Sequence, residues 1–441
     1  MLSREPHKLG LRSGIGLVIA DMAGVGVLTT SGFMVSQQTP GRILFAWLVG
    51  GVIALCGATA YGAIARVVAR SGGEYRYLSD LLHPAAGYLA GWVSFLVGFS
   101  APVAMAAYAA GAFAETIAPG LDARWVGGGI VVLSALVHGH GMHLSVRSQN
   151  ALVALKLTLL VAFVIVGLLR GNHGLPEWPH TLAVTEGAAN TGFMVSLVYI
   201  AFSYSGWNAA IYASEEFKDP VRDVPRAMRY GTLLVAGLYL AVNYVFVCNL
   251  EPARMMQWVA GDTQRVTLAH LVAVDWLGDA GASVMSAAIV VVLASSVSAM
   301  TLTGPRVYAA MAKDGLLPSA YKANEGKPPR IATMTQTLLV LGLLASQSFE
   351  SLMKNVGAIL TASTMLTAIA VFVVHRRAPE AERPKPLALV AAAIYAASSA
   401  GILYFTLSSS LTTVYWFLGV SAIVCAAYFI QRRATVSSTQ V

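Results

Sequence analysis

Two short runs interrupt otherwise apolar stretches with residues that free backbone groups. One is Asp21-Met22-Ala23-Gly24-Val25-Gly26-Val27-Leu28, followed directly by Thr29-Thr30-Ser31; the other is Phe202-Ser203-Tyr204-Ser205-Gly206-Trp207-Asn208. A glycine inside a helix weakens it by about 1 kcal/mol relative to alanine. A helix broken at Gly24 and Gly26 exposes N–H groups at the start of its second half, and such groups attract anions. The same small residues also suit plain close packing between helices.

Two full charges lie deep in apolar stretches. Asp21 lies about one turn before the glycines, and Lys156 lies in the apolar run Ala151-Leu152-Val153-Ala154-Leu155-Lys156. A charge at the centre of a bilayer costs about 2.5–3.5 kcal/mol on insertion scales, so it faces a protein interior and usually has a task. Lys156 otherwise snorkels to a nearby membrane surface, and Asp21 otherwise accepts hydrogen bonds from backbone freed at the break. His138, His140 and His143 cluster without a carboxylate or cysteine, which favours packing over a metal site. Gly24-Val25-Gly26 lacks the third glycine of a nucleotide-binding loop. No nucleophile–base pair is evident, and no cofactor motif is present. Cys56, Cys248 and Cys425 all lie in apolar runs with no CxxC pair, so neither a structural zinc site nor a disulfide framework is indicated.

The elements that position these groups follow from composition. Of 441 residues, 56% are hydrophobic and 11% charged, against roughly 25% charged in a soluble domain; mean hydropathy is +0.66. A span needs about 20 apolar residues. Twelve segments qualify: 13–35, 43–68, 85–114, 125–146, 151–169, 191–213, 231–250, 281–312, 331–346, 356–374, 387–407 and 411–430. They are too long and too uniformly apolar for barrel strands, so they are expected to be helices. The first exceeds a signal-peptide core and is expected to remain as a helix.

The net charge of +8 suggests a nucleic-acid partner until the basic residues are placed. With both termini cytoplasmic, 22 of the 29 Lys and Arg fall on the cytoplasmic side, six fall outside, and Lys156 is within a span. That asymmetry supports the topology and accounts for the charge without nucleic acid. The longest loops, 251–280 and 313–330, leave no room for a soluble enzyme domain. The broken spans are the first and sixth, corresponding positions in two sets of five. This pattern points to an inverted-repeat transporter with a midplane site.

The motifs together resemble the amino acid–polyamine–organocation (APC) superfamily over nearly the whole chain. Gly24-Val25-Gly26-Val27-Leu28 is similar to the family's G-S-G-I-F, with Val25 for serine. Phe202 to Asn208, then Glu215-Glu216-Phe217-Lys218-Asp219-Pro220 and Val224-Pro225-Arg226, resemble F-x-Y-x-G-W-N…E-E-x-x-x-P…P-R. The G-W-N form is closest to the light-chain-type neutral amino acid transporters. Arg306-Val307-Tyr308 with Met311-Ala312-Lys313-Asp314-Gly315-Leu316-Leu317-Pro318, and Gly141, Gln149 and Lys156, match further family motifs.

The resemblance implies an all-α, LeuT-like fold in one domain. It has an inverted-repeat core of ten helices over 13–375 and two further helices over 387–430. It implies a substrate carboxylate at Gly24, Val25 and Gly26, and an amine against the carbonyls of Phe202, Ser203, Tyr204 and Ser205. Phe202 matches an aromatic gate, Asn208 a residue at the substrate's edge, and Lys156 a lysine standing where relatives bind sodium. Val25 and Asp21 depart from the pattern, both toward favouring a cation.

The expected function is secondary transport of amino acids, foremost neutral ones, by sodium-independent exchange or proton-coupled uptake in the plasma or inner membrane. The alternative within transporters is an amine, polyamine or cationic amino acid carrier in which Asp21 pairs with the cation; the favoured expectation is a structural or coupling role for Asp21, with Lys156, itself a coupling candidate, as the other available partner because the first and fifth helices adjoin in the family's fold. The alternative of another class is a receptor or interaction subunit without transport. Family exchangers sometimes bind a single-span partner through an external cysteine. No cysteine lies in an external loop here, so no covalently linked partner is expected.

Overall fold

The computed structural model describes residues 8–35, 38–139, 146–171, 174–176, 186–261, 265–322 and 329–438. His140, Gly141 and His143 lie outside them, as do Arg4, Lys327 and the side chains of Arg147, Gln149, Arg432 and Arg433. The described residues form helices with no sheet. A single backbone bridge ties Leu9 to Phe217, with Leu9 N donating to Glu216 O at 2.7 Å and Lys218 N to Leu9 O at 2.9 Å.

The first span is two helices, α1 (Leu11–Met22) and α2 (Gly26–Met34), bent by 41°. α3 (Pro40–Val67) is continuous, and the loop after it folds into α4 (Glu74–Leu81). The third span is α5 (Pro84–Val93) and α6 (Ser100–Ile117), joined by a π-helical segment at Ser94–Gly98. α7 (Ala123–Gly139) and α8 (Val146–Arg170) complete the first five spans. The sixth span is broken, into α9 (Glu186–Ser203) and the single turn α10 (Ala209–Tyr212). α11 (Pro220–Asn249), α12 (Pro252–Gly261), α13 (Leu268–Lys313), α14 (Arg330–Ser346), α15 (Phe349–Arg377), α16 (Pro386–Ser409) and α17 (Leu411–Ser438) follow.

Among the described residues, eight helices are long and apolar enough to cross a membrane, and the bent α1–α2 pair makes a ninth. Three shorter apolar helices, Ala123–Gly139, Gly192–Ser203 and Arg330–Ser346, fall where the fourth, sixth and ninth spans are expected. The expected loop 251–280 is instead largely helical, holding α12 and the start of α13 up to a kink at Gly278. Its charges keep it below the hydropathy of a span without opposing helix formation.

Packing follows from which faces carry small residues. α6 buries Ala101, Ala104, Ala107 and Ala110, which allows close approach of its neighbours α7 and α13. α3 packs on α11, α6 on α13, α7 on α14, and the broken first span on the broken sixth. Each of these spans therefore meets the one five positions later in the chain. Large apolar side chains such as Leu133, Leu169, Leu234, Leu338, Leu387 and Leu418 point outward. An apolar exterior around a core holding Asn243, Gln336 and Asn355 is what a lipid solvent requires.

Candidate functional site

The break in the first span is a tight turn centred on Ala23 (φ −70°, ψ 74°), closed by Gly24 N donating to Met22 O at 2.6 Å. These dihedrals are those of an inverse γ-turn. The carbonyls at the end of α1 and the first N–H groups of α2 are thereby left without partners in their own helices. The break in the sixth span turns at Gly206, whose φ of 98° suits glycine alone. A Cβ on Gly206 would also lie 2.7 Å from Asp21 Oδ2, so the two breaks are in close contact there.

Two further contacts register the breaks against each other. Gly26 lies directly against Ser203. The Tyr239 hydroxyl of α11 lies 2.5 Å from Met22 O and 3.2 Å from Ser203 O, bridging the last residue of α1 and the last of α9. The sequence offered no sign of this role, because a tyrosine in an apolar span resembles any other core aromatic.

The breaks border one cavity of about 380 Å³. Gly24, Val25, Gly26, Phe202, Ser203, Tyr204, Ser205, Asn208, Asp21 and Lys156 all lie on its wall. Their contacts differ. The Ser203 hydroxyl is used within the protein, bonded to Tyr199 O at 3.0 Å and lying 2.6 Å from Thr30 Oγ1. Tyr204 is 1% exposed and reaches Trp47 O at 3.2 Å, so at most its backbone serves the cavity. Phe202 is buried, whereas Ser205 and Asn208 are half-buried.

Lys156 is buried, and its Nζ donates to Ala20 O at 2.9 Å. The ammonium of α8 thus caps the carbonyl end of α1, where a positive charge is favourable. Asp21 lies deep within the fold, yet its surface is open to the cavity. The two charges interact electrostatically, but they are not among the close ion pairs of the described residues. Of the two partners open to Asp21, Lys156 thus engages it only indirectly, through the carbonyl beside it.

Beyond the residues on the cavity wall, α2, α6, α9 and α15 share an aromatic cluster. Phe33 of α2 stacks on Phe349 of α15 at 5.7 Å between centroids and lies 5.9 Å from Tyr199, while Tyr108 covers Phe349 at 6.0 Å. Tyr199 Oη donates to Glu350 at 2.6 Å, and Lys354 pairs with the same carboxylate at 2.8 Å. Elsewhere the wall includes the π-helical segment at Ser94 and Gly98, and Glu74. Glu74 carries no signal in the sequence, because it lies between spans, where a charge is ordinary. His138 lies away from this site, with its Nε2 2.8 Å from Ser298 Oγ.

A family model described as "Amino acid permease" matches residues 9–439. "Large neutral amino acids transporter small subunit 2" of Rattus norvegicus is 26% identical over 419 residues, covering 91% of this chain and 76% of that protein. "Serine/threonine exchanger SteT" of Bacillus subtilis (strain 168) is 26% identical over 383 residues, 85% of each chain. "b(0,+)-type amino acid transporter 1" of Mus musculus is 25% identical over 263 residues, covering 57% of this chain and 53% of that protein.

Proposed function

The chain belongs to the amino acid permease family, and on that premise we propose that it carries neutral amino acids by sodium-independent exchange or proton-coupled uptake. It is a multi-pass membrane transporter of amino acids with the LeuT-like fold, and not an enzyme. The observation that carries the finer reading is the meeting of two broken spans at one cavity. The N–H groups at the start of α2 suit a carboxylate, and the carbonyls closing α9 suit an ammonium. A zwitterion matches both at once.

Lys156 supports sodium independence, since its ammonium already neutralises the end of α1. With both termini cytoplasmic, α2 runs toward the outer face, and the aromatic cluster of Phe33, Tyr199 and Phe349 serves as the outer gate. Phe202 covers the substrate, and transport alternates by moving the broken spans against the rest of the bundle.

A second reading, an amine or cationic amino acid carrier, is favoured by the Asp21 carboxylate at the cavity. Flux into proteoliposomes, with amino acids and polyamines as competitors, tests both. Neutral amino acids should compete best, with no effect of replacing sodium by choline. Stronger competition by polyamines would establish the second reading. Binding without flux would mark a receptor.

A further inference from the structure

Glu74, the first residue of α4, lies outside the candidate spans yet is only 5% exposed and borders the cavity. Its carboxylate accepts hydrogen bonds from three separate parts of the fold. Tyr61 Oη of α3 and Asn208 Nδ2 at the start of α10 each donate to Oε1 at 3.0 Å. Ser363 Oγ of α15 donates to Oε2 at 2.6 Å. The ionisable groups that face Glu74 are the phenols of Tyr61 on α3, Tyr212 on α10 and Tyr395 on α16. Among the described residues, none of the ion pairs includes Glu74.

This arrangement decides which way Asn208 points. The two ends of a side-chain amide are nearly the same size, so hydrogen-bond partners set its orientation. An ionised carboxylate only accepts. With Tyr61, Ser363 and Asn208 Nδ2 all donating to this carboxylate, Asn208 turns its NH2 toward Glu74, which leaves its carbonyl oxygen to face away. Asn208 is half-buried and on the cavity wall, and among the described residues its Oδ1 has no hydrogen-bond partner.

We infer that Glu74 is a positioning residue that holds Asn208 with Oδ1 toward the cavity, selecting solutes whose side chain offers a hydrogen-bond donor. This rests on the reading above, in which the amino acid's own ammonium and carboxylate occupy the two breaks. What remains to meet Asn208 is the side chain. A hydroxyl, amide N–H or ammonium pairs with Oδ1, whereas a purely aliphatic group leaves it desolvated and unpaired. Leaving a buried acceptor unpaired is the larger penalty of the two.

Threonine and valine test this directly, because they share a shape and differ in one hydroxyl. In proteoliposomes the wild-type KM for threonine should be lower than that for valine by roughly tenfold, the scale of one such unpaired acceptor. Glu74→Gln keeps the size but can donate Nε2–H to Asn208 Oδ1, which lets the amide turn over. Its KM ratio should fall to within about twofold. A merely structural role would slow both substrates and leave the ratio unchanged, which would overturn the assignment.

Asn208→Ala removes the acceptor and should abolish the preference on its own. An acid titration of the wild-type protein reaches the same end if Glu74→Gln does not fold, since protonated Glu74 can also donate to Oδ1. A preference that survives Asn208→Ala or full acidification overturns the inference. Transport of both amino acids with equal KM by wild type overturns it alone. Transport of neither overturns the neutral amino acid reading as well.

Discussion

Replacing Gly26 with alanine would put a methyl group 2.6 Å from Ser203 Oγ and 2.7 Å from Ser203 Cα. The second atom is backbone, so turning a side chain cannot relieve the contact. Ordinary contact begins at 3.4 Å, so the start of α2 and the end of α9 must part by about 0.7 Å. Overpacking of this kind costs about 1–3 kcal/mol. Here it also displaces the two breaks from each other and from the Tyr239 hydroxyl that bridges them. Gly24 is the internal control. The nearest atom to a Cβ there is Met22 O at 3.7 Å, and its φ lies outside the left-handed region. Gly24→Ala should therefore be neutral or stabilise by up to about 1 kcal/mol through the unfolded chain. Thermal melting in detergent and amino acid flux in liposomes measure both variants. Gly26→Ala should melt lower and lose most of its flux, while Gly24→Ala keeps its melting temperature. Wild-type flux in Gly26→Ala, or an equal drop in melting temperature from the two changes, would refute the claim that the breaks are registered through Gly26 and Ser203.

Lys156→Met leaves Ala20 O without its charged donor and should cost about 1–3 kcal/mol. Wild-type flux should be unchanged when choline replaces sodium, and sodium stimulation that is equal in wild type and Lys156→Met would contradict the role given to the ammonium. Phe202→Ala should slow transport several-fold while melting stays within a few degrees; unchanged flux in the folded variant would make the ring ordinary packing. Asp21→Asn should lower the rate for every amino acid and preserve their ranking, whereas selective loss of amine binding in equilibrium assays would mark direct contact with a cation. Burial pushes the Glu74 carboxyl above the ordinary carboxylate range, against the opposing effect of its bonds from Ser363, Tyr61 and Asn208. The threonine preference should thus be present above that raised pKa and disappear as pH falls through it. Taking the ratio of two substrates cancels any effect of pH common to both.

The amino-acid sequence by itself determined the membrane class, the helical content and the two breaks. Hydropathy, positive charge and helix-weakening glycines act locally, so their consequences can be read along the chain. It also picked out Asp21 and Lys156, because a charge in an apolar run is costly wherever the run lies. The tertiary structure alone decided how those residues are used. Gly24 and Gly26 are equivalent in the sequence, yet only Gly26 abuts another backbone. Asp21 and Lys156 pass for a direct ion pair until Lys156 is seen on Ala20 O. Glu74 and Tyr239 had no sequence signal at all. Their importance comes from carbonyls, hydroxyls and an amide brought to them from positions far along the chain. Hydrogen-bond partnership depends on distances of about 3 Å, and only packing of the helices sets distances of that kind.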